Sequence, residues 1–237
     1  MAVPDRMDER LRTLGLVETQ RMAQTLFAEV TTRGLIAPGR REREAGDRIG
    51  ELAREVCGPV ACPPRRVVRA GPHSVLPYGQ EPPVDREIGA DDIVVVDLGP
   101  LLPGYETGFA RTIVLGEDPD KHRLRADLPK MFAQAREAFH VDRAVTGRQL
   151  HAEVQALAAK AGWTPAGWYA GHLAGAAPAA HAQDARADSY IGPDNALPLR
   201  RIDEGGWRAH WVLEIHLVDE HQGFGGSYKE LLDLAEA

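Results

Sequence analysis

The chain has 237 residues, 43% of them hydrophobic and 27% charged, with a formal net charge of −7. That length suits one large α/β unit whose core needs no disulfide or metal staple. The acidic balance offers no face of clustered Lys and Arg for phosphates, and no apolar run approaches the ~20 residues of a membrane span. Neither a nucleic-acid nor a membrane partner is therefore expected. The short basic runs Arg40–Arg41 and Arg65–Arg66 are diluted by neighbouring Glu or Pro and read as solvated surface. Cys57 and Cys62 are separated by Gly-Pro-Val-Ala, which is neither a metal-type CxxC nor a secreted framework. Two free thiols in a reducing compartment follow, and the charged N-terminus lacks an apolar h-region, so the cytoplasm is the expected location.

In chain order, residues 1–17 are expected to be extended or partly ordered. From Glu18 to Arg33, Met22, Leu26, Phe27 and Val30 recur at helical steps, with Gly34 at the stop. A second helix after Pro38-Gly39 places Ile49, Leu52, Ala53 and Val56 on one side and ends at Gly58. Arg66–Ala70 is a short β-branched strand, and Asp92–Leu98 is a Val-rich strand suited to burial on both faces. Ala110–Leu115 is its hairpin partner, joined through Pro103-Gly104. Helices are expected over Leu128–His140 and Gly147–Ala161. Residues 165–210, rich in Gly, Ala, Pro and Asp, read as strands between long loops. Trp211–Val218 is a clear strand, and Tyr228–Leu234 closes the chain. No repeat or linker interrupts it, so a single domain over 1–237 is expected.

Charged groups inside apolar strands carry the chemical signal, because an unpaired buried charge is costly. Asp97 ends a run of three valines, Glu214 sits within WVLEIHLV, and His172 lies between Gly171 and Gly175. Taken singly, each has a plainer explanation as a turn, cap or hydrogen-bonded core residue. Together they suggest a shared site, since carboxylate and imidazole ligands suit Mn, Fe, Co or Zn. His216 lies two residues from Glu214, on the same strand face, as a fourth ligand, an acid/base or a pocket border. Trp163, Trp168 and Trp211 read as core or pocket wall, and His73, His210 and His221 carry no assignment.

The stretch AGPHSVLPYG…DIVVVDLG…GFARTIVLG, followed by GHLAG and WVLEIHLVDEHQGFGGSYKELL, resembles the pita-bread catalytic domain shared by methionine aminopeptidases, Xaa-Pro dipeptidases and creatinase. The resemblance runs from about Glu18 to the end and implies an α+β fold. A curved antiparallel sheet holds the site in its concavity, with helices packed on its outer face; only the catalytic domain is present. It also implies a five-residue centre for two divalent metals, in which Asp97, His172 and Glu214 match a first Asp, the His and a first Glu. The second Asp falls at Gly108. The last Glu falls at Lys229 or, with a one-residue slip, at Glu230. Two family histidines that hold substrate fall near Tyr78 and Ala179, and His181 is a substitute for the latter. Arg111 and Thr112 keep their family identities.

The resemblance thus implies a site with one divalent metal or none. Asp97, His172 and Glu214 are its metal ligands. His172, Tyr78, His216 and Lys229 are catalytic candidates, and Tyr78, His181 and Arg111 are substrate-binding candidates. The expected function is that of a divergent enzyme acting on a small molecule or short peptide at a C–N bond, a reaction creatinase performs without metal. A non-hydrolytic biosynthetic enzyme, a conventional Xaa-Pro dipeptidase or aminopeptidase, and a non-catalytic binding module remain as alternatives. A homodimer is expected by analogy.

Overall fold

A computed structural model describes residues 6–58, 67–77, 79–99, 101, 105, 107–175 and 186–234. Tyr78, Ala179, His181, Cys62 and the Pro103-Gly104 turn lie outside the described residues. Among the described residues, four long helices cover two halves of one sheet. Helix α1 (Arg6–Thr32) begins far before Glu18. The expectation of an extended N-terminal segment is corrected from Arg6 onward. Residues 6–17 show no apolar stripe because Met7, Leu11 and Leu14 are exposed and only Leu16 docks against the sheet. Good helix formers such as Met, Arg, Glu and Leu make up most of this stretch instead.

Helix α2 (Glu42–Cys57) buries Ala45, Ile49, Leu52 and Ala53 and stops at Gly58. Helix α3 (Pro119–Val141) starts well before the expected Leu128: Pro119 occupies the first turn and Asp118 accepts the backbone N–H groups of Asp120 and Lys121. It runs on through Pro129, which removes one helical hydrogen bond at a cost of ~3 kcal/mol. Burial of Leu124, Leu128, Met131, Phe132 and Phe139, at roughly 1.5–3 kcal/mol each, outweighs that break. Helix α4 (Gly147–Ala161) has the expected bounds, set by a reciprocal cap between Thr146 and Gln149.

The strands are β1 (Val67–Ala70), β2 (Ile93–Asp97), β3 (Ala110–Val114), β4 (Thr164–Pro165), β5 (Gly171–Leu173), β6 (Trp211–Asp219) and β7 (Phe224–Leu231). Among the described residues they form one antiparallel sheet in the order β1-β2-β3-β7-β6-β4, with β5 also on β6. Among its described residues, the segment 165–210 adds to the sheet only β5 and isolated bridges beyond the end of β4, since their Gly- and Pro-rich backbone makes its hydrogen bonds in loops. Val94 and Val96 pack into a core with α1 and α2, while Leu213, Ile215 and Leu217 pack into one with α3 and α4.

Strand β7 begins earlier than the expected Tyr228 because two glycines mask it. A Cβ on Gly225 would lie 2.8 Å from the Ser74 carbonyl oxygen and 2.9 Å from that of Leu217. These are backbone atoms that cannot yield, so the position requires glycine. The close approach laces the sheet together. Ser74, in the 3-10 turn Gly71–Val75 that follows β1, accepts a bond from His216 Nε2 at 2.9 Å and another from Gly225 N at 2.8 Å. The turn after the edge strand β1 thereby touches β6 and β7, and the sheet curls.

Candidate functional site

The strand register builds the site. Asp97 faces Ala110, Ala110 faces Lys229, and Lys229 faces Glu214 across β2, β3, β7 and β6. Directly opposed residues share a face, so one row carries two carboxylates around one lysine. The next row sets Arg69 opposite Val95, Val95 opposite Thr112, and Ser227 opposite His216. His172 on β5 pairs with Val212, which lies two residues from Glu214 and shares its face. Asp97, His172, Glu214, His216 and Lys229 therefore converge on one face of the sheet.

Lys229 dominates this arrangement. Its side chain is 4% exposed, and its ammonium pairs with Asp97 Oδ2 and lies 3.9 Å from Glu214 Oε2. Asp97 Oδ1 also accepts the Gly99 N–H at 3.0 Å. At 3.9 Å, unit charges attract by about 4 kcal/mol at an effective dielectric of 20, before desolvation. The lysine stem lies over Gly108, where an added Cβ would meet Lys229 Cδ at 2.8 Å and Cε at 2.9 Å. Absence of a side chain at 108 and presence of a long one at 229 are thus one packing solution.

The same register puts Lys229 and Glu230 on opposite faces of the sheet. Glu230 faces Leu213 on the opposite side of the sheet and pairs with Arg111. Arg111 also donates to the carbonyls of Ala110 and Lys229 and stacks on Phe109 and Tyr228 at 4.1 and 3.6 Å. The substrate-binding role expected for Arg111 does not fit this position, because strand alternation turns it away from the Asp97 row.

His172 is buried and His216 half-buried, and the surroundings of both rings favour the neutral form. His172 Nδ1 donates to the Leu173 carbonyl at 3.1 Å, and burial together with the Lys229 charge pushes its pKa down to about 4. His216 Nε2 donates to the Ser74 carbonyl, and burial, with Arg69 and Lys229 nearby, also lowers it to about 4. Both pKa values fall below the ordinary 6.5, so the unfolded chain binds more protons between pH 4 and 6.5. The resulting stabilisation is complete above about pH 6.5 and is lost as pH falls towards 4. A tenfold change in proton affinity is worth ~1.4 kcal/mol, so each ring contributes up to about 3 kcal/mol. Urea midpoints should fall from pH 7 to pH 5, and the His172→Asn/His216→Gln variant should flatten that fall; an unchanged slope would show that the fold does not hold these rings neutral.

Arg69 was missed by sequence reasoning. It is buried, its Nη atoms donate to the carbonyls of Leu76, Pro77 and Gln80, and burial lowers its pKa against the pull of Asp97, Glu81 and Glu214. The signal was present: a charge within the β-branched run Val67-Val68-Arg69, of the same kind that marked Asp97. Ser227 was missed as well, and a serine among glycines offers no such signal. His73 pairs with Glu42, and His210 with Asp233 and Glu9, away from the row.

The metal expectation meets this donor set poorly. Among the described residues, no three His, Cys, Asp or Glu side chains form a group able to hold a metal ion. Asp97, His172 and Glu214, the expected trio, share one face of the sheet but do not form such a group. An ammonium already sits between the two carboxylates, and position 108 supplies none. Two dications facing two carboxylates and a lysine would be uncompensated, so the residues do not fit a two-metal centre.

Solved structures share this architecture. The X-Pro aminopeptidase of Thermotoga maritima superposes with a TM-score of 0.70 at 20% identity, covering 99% of this chain and 63% of that one. The dipeptidase of Pyrococcus horikoshii gives 0.69 at 23% identity, covering 99% and 62%. The fold is the pita-bread α+β fold, as expected. The model of metallopeptidase family M24 matches residues 15–200, and the chain belongs to that family. Among curated relatives, a Xaa-Pro dipeptidase of Pyrococcus horikoshii is 23% identical over 178 residues, 72% of this chain and 49% of the relative. The probable dipeptidase PepE of Mycobacterium tuberculosis is 35% identical over 130 residues, 54% of this chain and 33% of the relative. The chain thus spans half or less of these two curated relatives, and the family match ends before β6 and β7.

Proposed function

We propose that this chain is a hydrolase that cleaves a C–N bond of a small, peptide-like amide without a two-metal centre. The carrying observation is Lys229, whose ammonium takes the place between Asp97 and Glu214 while its stem fills the space above Gly108. In the proposed reaction, water oxygen bonds to the amide carbonyl carbon as Glu214 takes one of its protons. The fixed Lys229 charge stabilises the negative charge developing on the carbonyl oxygen. Glu214 then returns the proton to the leaving nitrogen as the C–N bond breaks, giving an acid and an amine. Neutral His172 and His216 serve as hydrogen-bonding groups rather than charged acids. The relatives named as dipeptidases support a short-peptide substrate class, and the absence of a helix long and apolar enough to cross a membrane, among the described residues, is compatible with a dissolved substrate.

The test is a panel of Xaa-Pro dipeptides, Met-peptides and small acyl amides, run on protein stripped with chelator and on protein reconstituted with Mn, Fe, Co or Zn. Turnover of one amide that survives stripping supports the reading. Turnover of Xaa-Pro dipeptides that appears only on reconstitution, with two metals per chain, would establish the conventional dipeptidase instead. No turnover under either condition would overturn the hydrolase assignment.

A further inference from the structure

A small cavity of about 20 Å³ lies beneath the Lys229 row, with Arg69, Ser74, Asp97, Glu214, His216 and Ser227 as its polar walls. A water needs roughly 10–15 Å³ and two to four polar partners, so the space fits one molecule. Two of the lining groups independently call for it. Arg69 Nε and Ser227 Oγ are buried and have no hydrogen-bond partner among the described residues. A buried polar group left unpaired costs about 1–3 kcal/mol, and two on the walls of a single one-water cavity share one remedy. Arg69 cannot turn away to find another partner, because three backbone carbonyls hold its Nη atoms. The His216 ring, fixed by its bond to Ser74, leaves Nδ1 as an acceptor.

We propose that Arg69 and Ser227 hold a single water in this cavity and that this water attacks the amide carbonyl, an inference that rests on the hydrolytic reading above. Arg69 Nε–H donates to the water oxygen, and Ser227 Oγ fixes its orientation. One water proton is directed to Glu214, the carboxylate set farther from the lysine: Asp97 is in direct contact with the ammonium, whereas Glu214 lies 3.9 Å away. The role that bridging metals fill in a two-metal hydrolase, holding the nucleophile, passes here to a guanidinium and a hydroxyl.

The experiment compares wild type with Ser227→Ala and Ser227→Val by crystallography at about 1.3 Å and by kinetics on any amide that the panel reveals. The inference expects one ordered water within hydrogen-bond distance of Arg69 Nε in wild type and in S227A, and none in S227V, where the added methyl groups fill the cavity. It also expects S227V to lose about 100-fold in kcat, the scale of a positioned proton transfer, with little change in KM, while S227A, which keeps the water but loses one of its two holders, loses up to about tenfold, the worth of one hydrogen bond. A wild-type cavity without water overturns the inference and leaves the hydrolytic reading intact. Ordered water with S227V turning over at the wild-type rate overturns the attacking role. Ordered water with no amide turned over sinks the hydrolytic reading, and the attacking role with it. If S227V fails to fold, S227A decides: a retained water with kcat lowered by up to about tenfold supports the inference, and a lost water with kcat unchanged overturns it.

Discussion

Replacing Lys229 by methionine should cost the folded chain about 3–5 kcal/mol, the usual penalty for removing one partner of a buried ion pair. Methionine keeps most of the stem that packs over Gly108, so the loss isolates the charge. Asp97 and Glu214 would then face each other across β2, β3, β7 and β6 with no cation in their row. Urea titrations of K229M against wild type measure that cost, and an unchanged midpoint would mean that the ion pair adds nothing to the fold. A millimolar divalent cation should raise the melting temperature of K229M and leave wild type unmoved, since only the variant offers carboxylates without a resident cation.

The second large effect concerns positions 108 and 229 as a pair. Gly108→Asp alone must push its side chain into the Lys229 stem, 2.8 Å from the would-be Cβ, and against Val212 Cγ1 at 3.1 Å. Overpacking of this kind costs about 1–3 kcal/mol. Gly108→Asp with Lys229→Glu removes the obstruction and adds two carboxylates to Asp97 and Glu214. The double variant should bind two divalent metals per chain by elemental analysis, with a melting temperature that rises with metal concentration. K229E alone should gain less. If wild type and the double variant carry the same metal load, Lys229 is not what excludes the second cation.

Much of the site was legible because its residues break a pattern. A carboxylate after three valines and another inside WVLEIHLV stand out against period-2 apolar strands, and the structure brings Asp97 and Glu214 to one row. Lys229 could be placed only to within one residue, since a one-residue slip reverses the face; pairing with Glu214 removes that freedom. Arg69 showed the same signature in a run too short to weigh, and Ser227 matters only through a neighbour on another strand. The fold was read best where burial imposes a period, as in α4 and β2. It was read worst where a helix or strand is held by something else: the exposed opening turns of α1, the Pro-capped start of α3, and the glycines of β7, selected by the close approach of Ser74.

The lacing at Ser74 also sets an order of events during synthesis. Its bonds to His216 and Gly225 join residues 142 and 151 positions apart, so they form only after nearly the whole described chain is available. Contacts of such long span are made late, because their closure entropy is met before they return any stabilisation. A nascent chain that has not yet released β7 lacks the cation for Asp97 and Glu214 and the strand that closes the curl. It therefore emerges with two carboxylates still in water and no pocket around them. The row of Asp97, Lys229 and Glu214 is thus complete only once translation has passed β7.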